Sequence, residues 1–510
     1  MKEKGLKIIA IKPLKGCHPD YLKIIKENEL YYFYNNYSID NADKITFTEL
    51  IPDSFYNIND ITVNISAIVG KNGSGKSTII ELLFRVINNL AQKQEGITAE
   101  LNKIPGVKVD LFFQADKFYK IRVNNSIVSV FGYDNDGNKI SSKLENFLLR
   151  QFFYTVAINY SHYAYNVNDI ESEVNWLDGL FHKNDGYQTP LVLNPMRTDG
   201  NIDINNENHL VKSRLIGNLL RLRTKDNFSF RKLTDKLEAT SLKLKLNKSK
   251  RESILYLNEH KKDNLTEEVK IDGLNIDENE ILNKLNNAYN FNYTSLNKQK
   301  YKLALDYLIY KVVSIAIKYD DYLDYFSKED KKFYERKFDN FIKQLVEDES
   351  HITFKLRQTL NFLKYQHIGL KDQTLSLTSL SNKISKLKTR RKRIEIIEFI
   401  PPPIFAIDII LKTQDGIEKN IEFKKLSSGE KQMIYSVSSL LYHLINLNSI
   451  TTTKKRTGYR FVNIVLEEIE LYFHPEMQRT YIDYILESIK RLELRRIRGI
   501  NFCFVTYPCH

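Results

Sequence analysis

Residues 61–80, ITVNISAIVGKNGSGKSTII, constrain the fold more than any other stretch. A short β-branched run reads as a strand. It passes directly into Gly70-Lys71-Asn72-Gly73-Ser74-Gly75-Lys76-Ser77 and then into the apolar-periodic IIELLFRVI, which reads as a helix over 75–93. This is G-x-x-x-x-G-K-S in the strand–loop–helix setting it requires. Glycines let successive backbone N–H groups turn inward and wrap an anion. The helix that follows adds the positive end of its dipole. The spacing makes Asn72, Gly73, Ser74, Gly75, Lys76, Ser77 and Thr78 the candidate phosphate residues. Lys76 would reach the β- and γ-phosphates, and the Ser77 hydroxyl would ligate Mg²⁺. A chance Gly-rich turn would lack the strand before it and the helix after it.

A second stretch, FVNIVLEEIELYFHPEMQ at 461–478, runs six mostly apolar residues into Glu467 and Glu468. Buried carboxylates need compensation. Beside a phosphate loop, a second strand could deliver Glu467 to the metal, with Glu468 as the base that activates water. The bland reading is the acidic start of a surface helix. Glu467 is one methylene longer than the more usual Asp, so slow hydrolysis of ATP is expected. A third stretch, KKLSSGEKQ at 424–432, opens an amphipathic helix. Ser427 and the Gly429 backbone could hold a phosphate at that N-terminus, or the stretch is a plain N-cap.

The chain has 510 residues, enough for two to four domains. Short strands are expected at 5–11, 29–35, 107–114, 117–123, 127–132 and 152–159. From about 207 to 398 Gly and Pro nearly vanish, and Leu and Ile recur at three- and four-residue spacing. Leu380, Ile384, Leu387, Arg391 and Ile394 form one such stripe; Leu233, Leu237, Thr240 and Leu244 form another. These predict a helical insertion with a short antiparallel coiled-coil arm, against an ordinary helical subdomain. FIPPPIF at 399–405 ends it, because prolines cannot continue a helix. The expected domains are 1–206 and 399–510, folding together as one α/β unit, with 207–398 between them.

The net charge is +13, which favours a polyanionic partner, nucleic acid first. Residues 212–251 hold 13 Lys/Arg against 3 Asp/Glu, and 371–393 hold 8 against 1. If the insertion doubles back, these segments form a basic stripe for phosphates; otherwise they are solvated helix faces. No run approaches the ~20 apolar residues of a membrane span. The three cysteines, Cys17, Cys503 and Cys509, form no CxxC pair. That removes a zinc ribbon or disulfide scaffold and points to a reducing, cytoplasmic setting.

The loop, SSGEK and LEE, in that order, resemble the ABC/SMC-class ATPases of the AAA family. ELYFHPE at 470–476, with His474, is similar to their RecF- and OLD-like cytosolic branch. LKGCHPDYLKIIKENELYYFYN, AINYSHYAYN at 157–166, GYQTPLVLNPMRTDGNIDINNENHLVKSRL at 186–215 and IPPPIF at 400–405 resemble the PtuA family, the ATPase subunits of Septu-type and retron-associated anti-phage systems. The resemblance implies an ABC-type head: a mixed sheet with the phosphate loop, plus an antiparallel β lobe, interrupted by the helical insertion. It implies ATP and Mg²⁺ as cofactors, and a head-to-tail dimer or higher oligomer. In it, Ser427 and Gly429 of one copy face the γ-phosphate held by Lys76 of the other. It further implies an HNH nuclease partner of the PtuB type, and in retron settings a reverse transcriptase with its RNA–DNA product. Two functions of other kinds compete: a RecF/SMC-like DNA-repair ATPase, and a scaffold closed by ATP with negligible hydrolysis. The family's switch histidine position is Tyr507 here, in NFCFVTYPCH, with His510 as a substitute. Gln114 and Gln151 both stand as candidate metal-linking glutamines. The tyrosines of 31–37 stand as either an adenine-stacking ring or β-core. No pattern of a nuclease site of its own is present.

Overall fold

The structure is a computed structural model. It describes residues 5–506 apart from 53, 93–96, 98–100, 126, 141–146, 162–163, 166–175, 181–188, 196, 198–200, 203, 223–229, 235, 253, 259–265, 271–272, 349–350, 390–394, 414–419, 451, 453–456 and 470–472. The chain divides into two compact units, Met1–Val211 with Ser428–His510, and Lys212–Ser427. The protein is mixed α/β, with one parallel sheet and several antiparallel ones. No helix among the described residues is long and apolar enough to cross a membrane.

The first unit is built on a five-stranded sheet in the order Leu191–Asn194, Phe153–Asn159, Phe461–Glu467, Gly499–Thr506, Thr62–Val69. All neighbouring pairs are parallel. Phe153–Asn159 and Phe461–Glu467 are buried at every position, as expected of strands covered on both faces. The acidic strand Phe461–Glu467 and the strand Thr62–Val69 that precedes the glycine-rich loop are not direct neighbours. Gly499–Thr506 pairs with both and separates them. The strands stay in step, with Val69 opposite Thr506 and Glu467 opposite Val505. Their C-terminal ends therefore share one edge, where open α/β sheets place ligands.

A row of polar residues crosses this sheet at a single register. Asn64, Asn501, Asn463 and Thr155 stand opposite one another in turn. Asn501 Nδ2 donates to Asn463 Oδ1 at 2.8 Å, and the Tyr34 hydroxyl donates to Asn501 Oδ1 at 2.6 Å. Satisfied buried polar groups of this kind penalise a slipped register, which would separate donor from acceptor.

The same unit carries a five-stranded antiparallel sheet, in the order Tyr31–Tyr32, Lys7–Pro13, Lys108–Gln114, Phe118–Asn124, Ile127–Gly132. Tyr32, Tyr34 and Tyr37 serve its packing. Tyr37 joins a core of Ile9, Ala10, Ile39, Ile45 and Phe112, and its hydroxyl donates to Gln114 Oε1 at 2.9 Å.

The second unit departs from the expected helical insertion. It holds a four-stranded antiparallel sheet, Gln373–Ser376, Leu237–Leu246, Phe405–Thr413, Asn420–Glu422. Leu237, Thr240 and Leu244, which fit a helical stripe by spacing, lie on one of its strands. Alternation wins there: Leu242 and Leu244 are buried between lysines 243 and 245, the period of a pleated strand. Phe405–Thr413, expected to re-enter the first unit, pairs with Leu237–Leu246 instead. Residues 399–427 thus belong to the second unit. The other stripe does form a helix, Leu377–Thr389, with Leu380 and Ile384 buried. It packs on the sheet rather than on a long helical partner: Arg231 donates to Thr378 Oγ1 at 2.6 Å and Ser381 Oγ at 2.9 Å. Arg391 and Ile394 lie outside the described residues. No coiled-coil arm is formed by the described residues, whose longest helix in this unit is Lys302–Lys318.

The two basic segments do come side by side, because Leu237–Leu246 pairs with Gln373–Ser376. Much of their charge is committed to structure. Arg214 and Arg231 are buried, Lys212 Nζ donates to the Ile407 carbonyl at 2.5 Å, and Lys243 pairs with Glu422 at 2.5 Å.

Candidate functional site

The glycine-rich loop joins Thr62–Val69 to the helix Lys76–Ala91. Gly73 and Gly75 take φ of +73° and +88°, which a side chain resists. Gly75 also has Ile24 and Ile25 against it: an added Cβ would sit 2.8 Å from Ile25 Cγ2. Lys76 Nζ donates to the carbonyls of Gly70 at 2.7 Å and Lys71 at 3.1 Å, so the loop folds around its own ammonium. Asn72, Gly73, Ser74 and Ser77 are exposed, while Thr78 is buried.

Glu467 ends its strand 2 % exposed. Its Oε2 accepts from the Tyr165 hydroxyl at 2.5 Å. Its Oε1 is buried with no hydrogen-bond partner. Burial raises the carboxyl pKa above its ordinary value; the nearby Ser77 hydroxyl, Tyr165 and Asn159 oppose that shift in part, and Glu81 adds to it. A carboxylate oxygen left without a partner beside the loop's Ser77 fits a small divalent cation, which takes oxygen ligands. Glu467 and Ser77 are the residues that could hold one. Among the described residues no group of three or more His, Cys, Asp or Glu is gathered as a metal cage. A cation shared with phosphate oxygens needs none.

Glu468 is half-buried and takes φ of +52°, a left-handed conformation that costs a non-glycine residue about 1–2 kcal/mol. Its N–H donates to the Val505 carbonyl at 3.2 Å. Strain at such a position marks a place worth testing for function. Ser427 and Gly429 stand where the chain passes into the helix Ser428–Ser449. Ser427 is exposed and Gly429 half-buried. His474 is exposed ahead of the helix Pro475–Lys490. Tyr507 and His510, the switch-position candidates, lie outside the described residues.

Neither candidate glutamine joins the cluster. Gln114 accepts from Tyr37, and Gln151 Oε1 accepts from the Leu148 N–H at 3.0 Å. The residues that do join it carry no site motif in the sequence. Asn159 lies opposite Glu467 on the neighbouring strand, and its Oδ1 accepts from the Ser161 N–H at 2.8 Å. Buried Arg197 donates to the carbonyls of Ser161 at 2.7 Å and Asn159 at 3.3 Å. Their only signal is membership of AINYSHYAYN and of the stretch at 186–215, two of the segments that carry the family resemblance. The HPDYLKIIK stretch is likewise placed against the loop helix: Lys23 pairs with Glu81 at 3.1 Å, and the Arg85 guanidinium lies 4.5 Å from the centroid of the Tyr21 ring.

No family model matches the chain, and no curated protein matches it.

Proposed function

We propose that the first unit binds ATP with Mg²⁺ and hydrolyses it slowly, as an ABC-class ATPase head. One observation carries this reading: a buried carboxylate with an uncommitted oxygen, Glu467, stands by Ser77 of a glycine-rich loop, at the sheet edge where the loop begins. The loop's N–H groups and Lys76 would cradle the phosphates. Ser77 and Glu467 would hold the cation, whose contribution is to neutralise phosphate charge. Glu468 would take the proton of the attacking water.

The assembly follows from resemblance. Two copies would pack head to tail, Ser427 and Gly429 of one meeting the nucleotide on Lys76 of the other. The setting we propose is an anti-phage complex of the Septu or retron type, with this ATPase controlling an HNH nuclease subunit and, in retron settings, meeting a reverse transcriptase and its RNA–DNA product. In the second unit, Lys250, Lys311, Lys318 and Lys355 gather where the helices Lys302–Lys318 and His351–Tyr365 meet the turn at Lys248–Glu252. That lysine group is the feature supporting a nucleic-acid contact there.

Equilibrium binding of a fluorescent ATP analogue tests the core of the reading. Wild type should bind with Mg²⁺, and Lys76→Ala should lose most of that affinity. Equal affinity in the two would remove the loop from the function.

A further inference from the structure

The Tyr165 hydroxyl reaches the Glu467 carboxylate by a short hydrogen bond, 2.5 Å to Oε2. Three independent features hold Tyr165 there. Its backbone takes φ of +51°, an uncommon conformation for an aromatic residue. Its ring lies 5.9 Å from that of Phe84, on the helix that follows the phosphate loop. The Arg197 guanidinium lies 5.9 Å from the centroid of the Tyr165 ring, while the same guanidinium holds the Asn159 and Ser161 carbonyls.

We propose that Tyr165 is a positioning residue: by committing Glu467 Oε2 to its own O–H, it leaves Oε1 as the single carboxylate oxygen available to the cation of a metal–nucleotide complex. This rests on the nucleotide reading above. A glutamate side chain has one more rotatable bond than aspartate, and a free carboxylate could offer either oxygen or both. A fixed hydrogen bond to one oxygen removes that choice and the rotamers that go with it. Tyr165 thereby compensates for the longer arm that distinguishes Glu467 from an aspartate.

The test uses the full chain and Tyr165→Phe, which keeps the ring against Phe84 and Arg197 and deletes only the hydroxyl. Mn²⁺ is titrated into each protein with a non-hydrolysable ATP analogue and followed by electron paramagnetic resonance; metal-free binding of the analogue is measured in parallel. The expected result is Mn²⁺ affinity about 10- to 100-fold weaker in the variant, with metal-free affinity unchanged. Unchanged Mn²⁺ affinity overturns the proposal. A parallel fall in metal-free affinity also overturns it, since that marks a structural anchor or a misfolded variant. If wild type takes up no analogue at all, the nucleotide reading itself fails and this inference with it; if wild type binds and the variant matches it, only the role of Tyr165 fails.

Discussion

The Tyr165 hydroxyl and the Glu467 carboxylate meet at 2.5 Å, across 302 positions of sequence. The contact joins a turn after one central strand to the end of the next. It satisfies one oxygen of a buried acid and leaves the other, Oε1, without a partner. An acid held so is unfavourable for the isolated fold.

Glu467→Gln should therefore stabilise the protein and impair it. The amide keeps the shape and can still accept from Tyr165, but it removes a buried charge whose oxygen lacks a partner, worth on the order of 1–3 kcal/mol. The expected outcome is a melting temperature higher by a few degrees, with the Mg²⁺ dependence of nucleotide binding lost. Because burial raises the pKa of Glu467, the wild-type penalty is present at neutral pH and fades as pH falls through that raised value. The difference in melting temperature should narrow on acidification.

Asn501→Leu should cost about 2–4 kcal/mol, read as a lower urea midpoint. Asn501 is fully buried. The substitution withdraws the acceptor of Tyr34 and the donor to Asn463 together. A loss under about 0.5 kcal/mol would mean the polar row does not help set register.

His367, in the second unit, is pushed down to about 4 by burial, against a hydrogen bond to the Phe399 carbonyl that favours the charged form. The folded state thus prefers the neutral ring. Its contribution is complete above the unfolded pKa of about 6.5 and is lost as pH drops from there toward 4. Chemical denaturation of wild type and His367→Leu between pH 4 and 7 should show a flatter acid limb in the variant. Parallel limbs would contradict the assignment.

Lys311 is pushed down to about 7, first by burial and then by Lys355, Lys318 and Lys250. If these lysines meet a nucleic-acid backbone, Lys311→Gln with Lys355→Gln should weaken binding of oligonucleotides equally across sequences. The salt slope should also become shallower, by roughly one for each phosphate no longer neutralised. Filter binding at several salt concentrations checks this. An unchanged slope would show that the charge here is not used for phosphates.

The strand–loop–helix around residues 70–77 is legible in the sequence because glycines at fixed spacing mark a tight turn: Gly73 and Gly75 take positive φ. The strand Phe461–Glu467 is legible because an unbroken apolar run fits a strand covered on both faces. The strand between them is not, since buried parallel strands read alike and sequence carries no order among them. Leu237–Leu246 misleads because Leu237, Thr240 and Leu244 satisfy helical spacing by accident, while LKLKL carries the truer period. Tyr165 and Arg197 come from irregular segments, whose geometry depends on neighbours distant in the chain. No local spacing encodes them.

The central claim, that this chain closes Mg²⁺-ATP in its loop and hydrolyses it through Glu468, is tested most directly by the nucleotide that Glu468→Gln retains. The variant is incubated with Mg²⁺-ATP, separated from free nucleotide by gel filtration and assayed for bound ATP and ADP. The account predicts unhydrolysed ATP retained close to one per chain, with wild type retaining less or holding ADP. A variant that turns over ATP at the wild-type rate, or that retains no nucleotide, would contradict it.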